Sequence, residues 1–292
     1  MRRLVLAASV ALISGWAVRA ETPEDAYFAA RAAASAKVKA AVDANKPEEA
    51  VNRLEDEGRT ALLGQLSALV GSRKPKGYEK GELSLDSLQP DAEGADQLDA
   101  VIYTKGDNDP SVSVTPEGVA DHWLAALRAD PDRKDMKIPA TLEEALTAPD
   151  FYTLAVGGDA AFSLYTPVPI KDASAVALLG AFQQESGPNP PGALVVSVRR
   201  GGLLYLIQAQ PAKELKTPPA CDAVWKSYDQ KRDKAQQAYD ASHEKDEAQL
   251  DAAQKAEAEG DEAFRSCFAR EIKPEDMAAL RRQAEEMEKL VP

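Results

Sequence analysis

The two cysteines, Cys221 and Cys267, constrain this chain more than any other feature. They bracket a stretch from Cys221 to about Arg270 that is dense in Ala, Lys, Glu, Asp and Gln and contains no Pro, which favours helix throughout. An unbroken helix from Cys221 to Ala258 would be about 57 Å long at about 1.5 Å per residue, leaving the thiols far apart. A disulfide needs Cα atoms within about 7 Å of each other. Pairing the cysteines therefore forces a reversal near Ser242, His243 and Glu244, giving two antiparallel helical arms.

In that register, residues whose numbers add up to the same total as the cysteine pair face each other. Val224 then meets Phe264, Trp225 meets Ala263, Tyr228 meets Gly260, Ala235 meets Ala253 and Ala238 meets Leu250, while Lys231 falls opposite Glu257. Large side chains mostly face small ones, as close helix packing requires. The chain-entropy model gives such a loop closure about 4 kcal/mol. The competing arrangement is an unbroken helix that ends with Gly260 as its C-cap and restarts with Asp261 as the next N-cap.

Whether the thiols pair depends on the compartment, and the N-terminus bears on that. Met1-Arg2-Arg3, an apolar run from Leu4 to Val18, and Val18 and Ala20 before Glu21 follow the order of a secretory signal peptide, cleaved after Ala20. The run is shorter than the roughly 20 residues of a comfortable membrane span, although an uncleaved anchor is the rival reading. No Cys lies near the cleavage point to carry a lipid, and Arg2-Arg3 lacks the rest of a twin-arginine pattern. A periplasmic or secreted location follows, and there an even cysteine count favours one internal disulfide.

Lys and Arg total 35 against 48 Asp and Glu, for a formal net charge of −13. Residues 1–20 hold three arginines and no acid, so cleavage takes the charge to −16. Nucleic-acid affinity comes chiefly from cations that displace counterions, so this balance argues against a nucleic-acid partner. It also keeps an exported protein soluble. Beyond the signal, no apolar stretch is long enough for an integral membrane segment.

The mature chain opens with Thr22-Pro23-Glu24-Asp25, an N-cap with Pro at the first helical position and acids in the first turn. One helix runs to about Ala44; after Lys46-Pro47 a second carries Ala50, Leu54, Ala61, Leu62, Leu66 and Leu69 at helical spacing and stops at Gly71. Residues 72–97 read as a surface linker whose positive start, Arg73, Lys74, Lys76 and Lys80, stands out in an acidic chain; a binding loop is the alternative.

From 98 to 215, strand-turn-strand-helix patterning occurs three times. The hairpins pair 98–104 with 111–114, 151–156 with 160–166, and 193–198 with 203–209. Helices follow to about Arg128, from about Asp172 to Gln184, and from near Cys221. A short helix from Thr141, with Glu144 completing a capping box, sits between the first two units. The fold class is thus α+β: an antiparallel sheet of about six strands with helices on one face. It is flanked by an N-terminal helix pair (21–71) and the stapled hairpin with a last amphipathic helix (216–292). Pro274 opens that last helix, which places Met277, Leu280, Ala284 and Met287 on one stripe.

No cofactor, nucleotide or catalytic motif occurs, and no catalytic or metal residue is singled out. His122 reads as a core-edge histidine near Val119, Trp123 and Leu127, and His243 as solvated at the hairpin tip. Asp107-Asn108-Asp109 begins like a calcium loop, but Gly118 occupies the bidentate position, so it reads as a turn. Trp123, Trp225 and Tyr228 could line a pocket but sit at core spacing. The resulting expectation is a non-enzymatic, exported binding or scaffolding protein that meets a protein partner through the hairpin. The alternative is a hydrolase acting on a cell-wall or small-molecule substrate, with His122 in a cleft beside a carboxylate or hydroxyl. A carrier with an apolar pocket is a third reading.

Overall fold

A computed structural model of the chain describes residues 22–84, 88, 98–106, 109–129, 138–145, 164–171, 173–179, 193–213, 217–242 and 245–292. Residues 1–21, where the sequence suggests a signal peptide, the Asp107-Asn108 pair and His243 lie outside these. Helix α1 (Pro23–Asp43) starts where the Thr22 signature places it. Thr22 Oγ1 accepts the Asp25 N–H at 3.1 Å and Asp25 Oδ2 accepts the Thr22 N–H at 2.8 Å, a complete capping box. Helix α2 (Glu48–Val70) buries Val51, Leu62, Leu66 and Val70.

Within residues 72–97, Gly81–Ser84 forms β1, and Tyr78 and Leu88 are buried. The strands β2 (Ala100–Tyr103) and β3 (Ser111–Pro116) form the first expected hairpin. The third is β6 (Ala193–Arg200) with β7 (Leu203–Ala209). Its turn residues Gly201 and Gly202 both have positive φ, 61° and 76°, the conformation a tight hairpin turn demands of both central positions.

The middle unit departs from expectation. Residues 151–163 are not among those described, and β4 (Leu164–Val168) pairs with β5 (Ser174–Leu179), so a strand stands where the helix from Asp172 to Gln184 was expected. Ser-Ala-Val-Ala-Leu-Leu is a short apolar run without a decisive period. Pairing with strands on both sides decides such a run, because an interior strand satisfies all its backbone groups in the ladder. The result is one seven-stranded antiparallel sheet of order β1-β2-β3-β7-β6-β5-β4.

Strand alternation splits the core in two. Val114, Tyr205 and Val198 form one cross-strand row and Val112, Ile207 and Val196 the next, all facing α1, α2 and the last helix, α7 (Pro274–Glu288). Leu280, Ala284 and Met287 of α7 enter this main layer, as their stripe implied. On the reverse, Ala193, Val195, Leu204 and Leu206 pack against α3 (Glu117–Ala129) and the short α4 (Leu142–Ala145). The principal helical layer thus covers one face, and α3 and α4 add a smaller one behind. The Thr141 hydroxyl caps the α4 turn by accepting the Glu144 N–H at 3.2 Å, and the Glu144 carboxylate reaches back to the Ala140 N–H.

Candidate functional site

The charged stretch folds as an antiparallel pair, α5 (Pro219–Ala241) and α6 (Glu247–Glu271), with Gly260 inside α6 rather than ending a helix. Cys221 and Cys267 are disulfide-bonded with Cα atoms 5.5 Å apart. Both are buried, and with Phe264 and Phe268 they belong to the main apolar core, so the base of the arm is embedded in the body. Cys221 is the buried residue of α5, and among the described residues α5 packs substantially against α6 alone, while α6 also meets β4.

Away from the base, the seam follows a 3-4 spacing on each helix: Cys221, Trp225, Tyr228, Arg232, Ala235 and Tyr239 on α5, and Gln249, Ala253, Ala256, Gly260, Ala263 and Cys267 on α6. This is the heptad pattern of an antiparallel coiled coil. Tyr228 lies against Gly260, where an added Cβ would stand 2.7 Å from Tyr228 Cβ. The Trp225 and Phe264 rings meet edge to face at 5.9 Å. Near the tip, Ala238 is exposed rather than seated against Leu250, and half-buried Tyr239 takes the seam position. The expected sum rule holds where Cys221 meets Cys267 and where Tyr228 meets Gly260.

A charged residue occupies the middle of the seam. Arg232 is half-buried and pairs with Asp229 at 2.6 Å and Asp233 at 2.8 Å. A polar group at such a position fixes register at some cost in stability. Lys231 lies over the Tyr228 ring, 4.5 Å from its centroid. The reversal is built on Ser242. Its hydroxyl donates to the Tyr239 carbonyl at 2.6 Å and accepts the N–H groups of Lys245 and Asp246 at 3.1 and 3.0 Å, closing one helix and opening the next. The α5 segment from Tyr228 to Ala241 is about 20 Å long, at about 1.5 Å per residue.

Other residues singled out from the sequence have plainer settings. His122 is exposed on α3 and stacks on Phe28 of α1, with ring centroids 3.9 Å apart; among the described residues it makes no hydrogen bond to a carboxylate or hydroxyl. Trp123 packs against the reverse-face cluster. Among the described residues, no group of His, Cys, Asp and Glu is arranged to hold a metal ion. No described helix is long and apolar enough to cross a membrane.

Arg73, read as the start of a basic linker, closes α2: its guanidinium donates to the carbonyls of Leu69 and Val70 and to Gly201 in the β6–β7 turn. The sequence reading also missed a buried polar network. Asp99, just before β2, accepts from the Tyr27 hydroxyl at 2.8 Å and Arg31 Nε at 2.7 Å, and its backbone carbonyl accepts from Thr115 Oγ1. Burial, reinforced by the Asp99 charge and hydrogen bond, pushes the Tyr27 phenol far above its usual range, and Arg31 offsets part of this. This network pins α1 to the sheet. Neither a protein-family model, nor a curated protein, nor a solved structure matches the chain.

Proposed function

We propose that this is an exported, non-enzymatic binding or scaffolding protein, periplasmic or secreted, whose helical arm contacts a protein partner. The observation carrying this reading is that, beyond their embedded base, α5 and α6 pack on each other across a seam of small residues, with charged and amide side chains turned outward. A helix pair that buries so little apolar surface contributes little to the core, so its length is better explained by what it presents. The buried disulfide fits an oxidising compartment and agrees with the signal-like N-terminus.

The test is to replace Ser227 to Glu262 with a short turn and compare envelope proteins captured by the tagged mature chain with and without the arm. The shortened chain should keep the cooperative unfolding of its body and lose its partner. Capture that survives the deletion would remove the arm as the binding element.

A further inference from the structure

On the reverse face of the sheet from the base of the arm, a cleft of about 320 Å³ opens between α3, α4 and the end of β6. Its volume falls at the lower end of ligand-sized sites. Leu124 and Leu142, 2% and 3% exposed, form an apolar floor. Asp121, Leu124 and Arg128 lie at i, i+3 and i+7 on α3 and so line one wall.

The charges in the cleft are only partly paired off. Arg199 is engaged by Glu117, at 2.7 Å across the strand–helix junction. That hydrogen bond, and with it the fields of Glu117, Asp121 and Glu143, holds the guanidinium above its usual range. Since Glu117 already balances Arg199, the carboxylates of Asp121 and Glu143 leave this end of the cleft net negative. Among the described residues neither forms an ion pair. At the other end, Arg128 donates to the Ala140 carbonyl and forms no ion pair among the described residues. One end of the cleft thus calls for a cation and the other for an anion.

We propose that this cleft binds a short peptide with free termini, its ammonium between Asp121 and Glu143 and its carboxylate on Arg128. The spacing sets the length. Seven residues of helix separate Asp121 from Arg128, about 10.5 Å, and three extended residues span about 10 Å. The leucine floor meets the peptide backbone and small side chains, and no nucleophile is required. Thr141 Oγ1 already accepts the Glu144 N–H, which suits a binding site.

The experiment is calorimetric titration of the full chain with triglycine, N-acetyl-triglycine and triglycine amide. Triglycine should bind saturably, and blocking either terminus should weaken it about tenfold or more. Arg128→Gln should weaken triglycine and leave the amide unchanged. Asp121→Asn should weaken triglycine and leave the acetylated peptide unchanged, an independent reading at the other end should the first variant fail to fold. Absence of saturable binding by triglycine would overturn the proposal. So would equal binding of free and blocked peptides, or a folded variant that loses free and blocked peptides alike.

Discussion

The body and the arm each hold a pair of antiparallel helices, and the two pairs are secured by different means. α1 and α2 bury Tyr27, Val38, Leu62, Leu66 and Val70 against the sheet, so large apolar side chains hold them in place. The arm buries Ala253, Ala256 and Gly260 along its seam, with Arg232 among them. Small residues bring the helix axes close but remove little apolar area from water, at about 25 cal/mol per Å². Hydrophobic burial specifies the first pair. In the second, a covalent bond, a polar seam residue and a serine-capped reversal share that task.

The contrast breaks most readily at the disulfide. Replacing Cys221 and Cys267 together with Ala should lower the unfolding free energy by about 4 kcal/mol, measured by guanidinium denaturation followed by far-UV circular dichroism. An unchanged midpoint would mean that the seam suffices to hold the arm, as the apolar core does for α1 and α2.

A second effect belongs to the body. Tyr27, Tyr78, Tyr103 and Tyr205 all have phenols raised above their usual value, each chiefly by burial. A raised phenol pKa in the folded state means that the unfolded chain loses its protons first. The contribution is therefore intact below about pH 10 and is lost as pH rises above it, at up to about 1.4 kcal/mol per pH unit for each fully protected tyrosine. Unfolding midpoints measured from pH 8 to 11 should fall on the alkaline side. Tyr27→Phe should fall less steeply, while being less stable at pH 8 because Asp99 loses a hydrogen-bond donor. Parallel slopes for the two proteins would show that Tyr27 is not the phenol that resists ionisation.

What could be read in advance follows the same division. The arm was legible because one covalent constraint acts on a stretch of uniform composition: the two cysteines fix the register, and Tyr228 with Gly260 then follows. The β6–β7 hairpin was legible from its Gly201-Gly202 turn. By contrast, Ser174–Leu179 becomes a strand through neighbours on both sides, which no local pattern records. Asp99 meets Tyr27 and Arg31 across 72 and 68 residues of sequence, so nothing near it announces the network. The Asp121, Glu143 and Arg128 cleft was hidden for another reason. In a chain this rich in charge, three charged residues become a candidate site only once the fold shows that they share a cavity without pairing.

The finest test of the contrast is a single methyl group in the arm. Gly260 is a poor helix residue, and Ala there would gain about 1 kcal/mol in helix propensity. Its Cβ, however, would stand 2.7 Å from Tyr228 Cβ, an atom fixed to its own helix that no side-chain rotation can move aside. The helices must separate, and overpacking of this kind costs about 1–3 kcal/mol. Gly260→Ala should therefore destabilise the chain by about 1 kcal/mol net, seen as a lower denaturation midpoint. Pairing it with Tyr228→Gly removes the Cβ that the methyl group meets, so the two changes should couple favourably in a double-mutant cycle. If Gly260→Ala alone stabilises the protein, the seam is loose, and the arm is held in register by its disulfide rather than by the fit of its side chains.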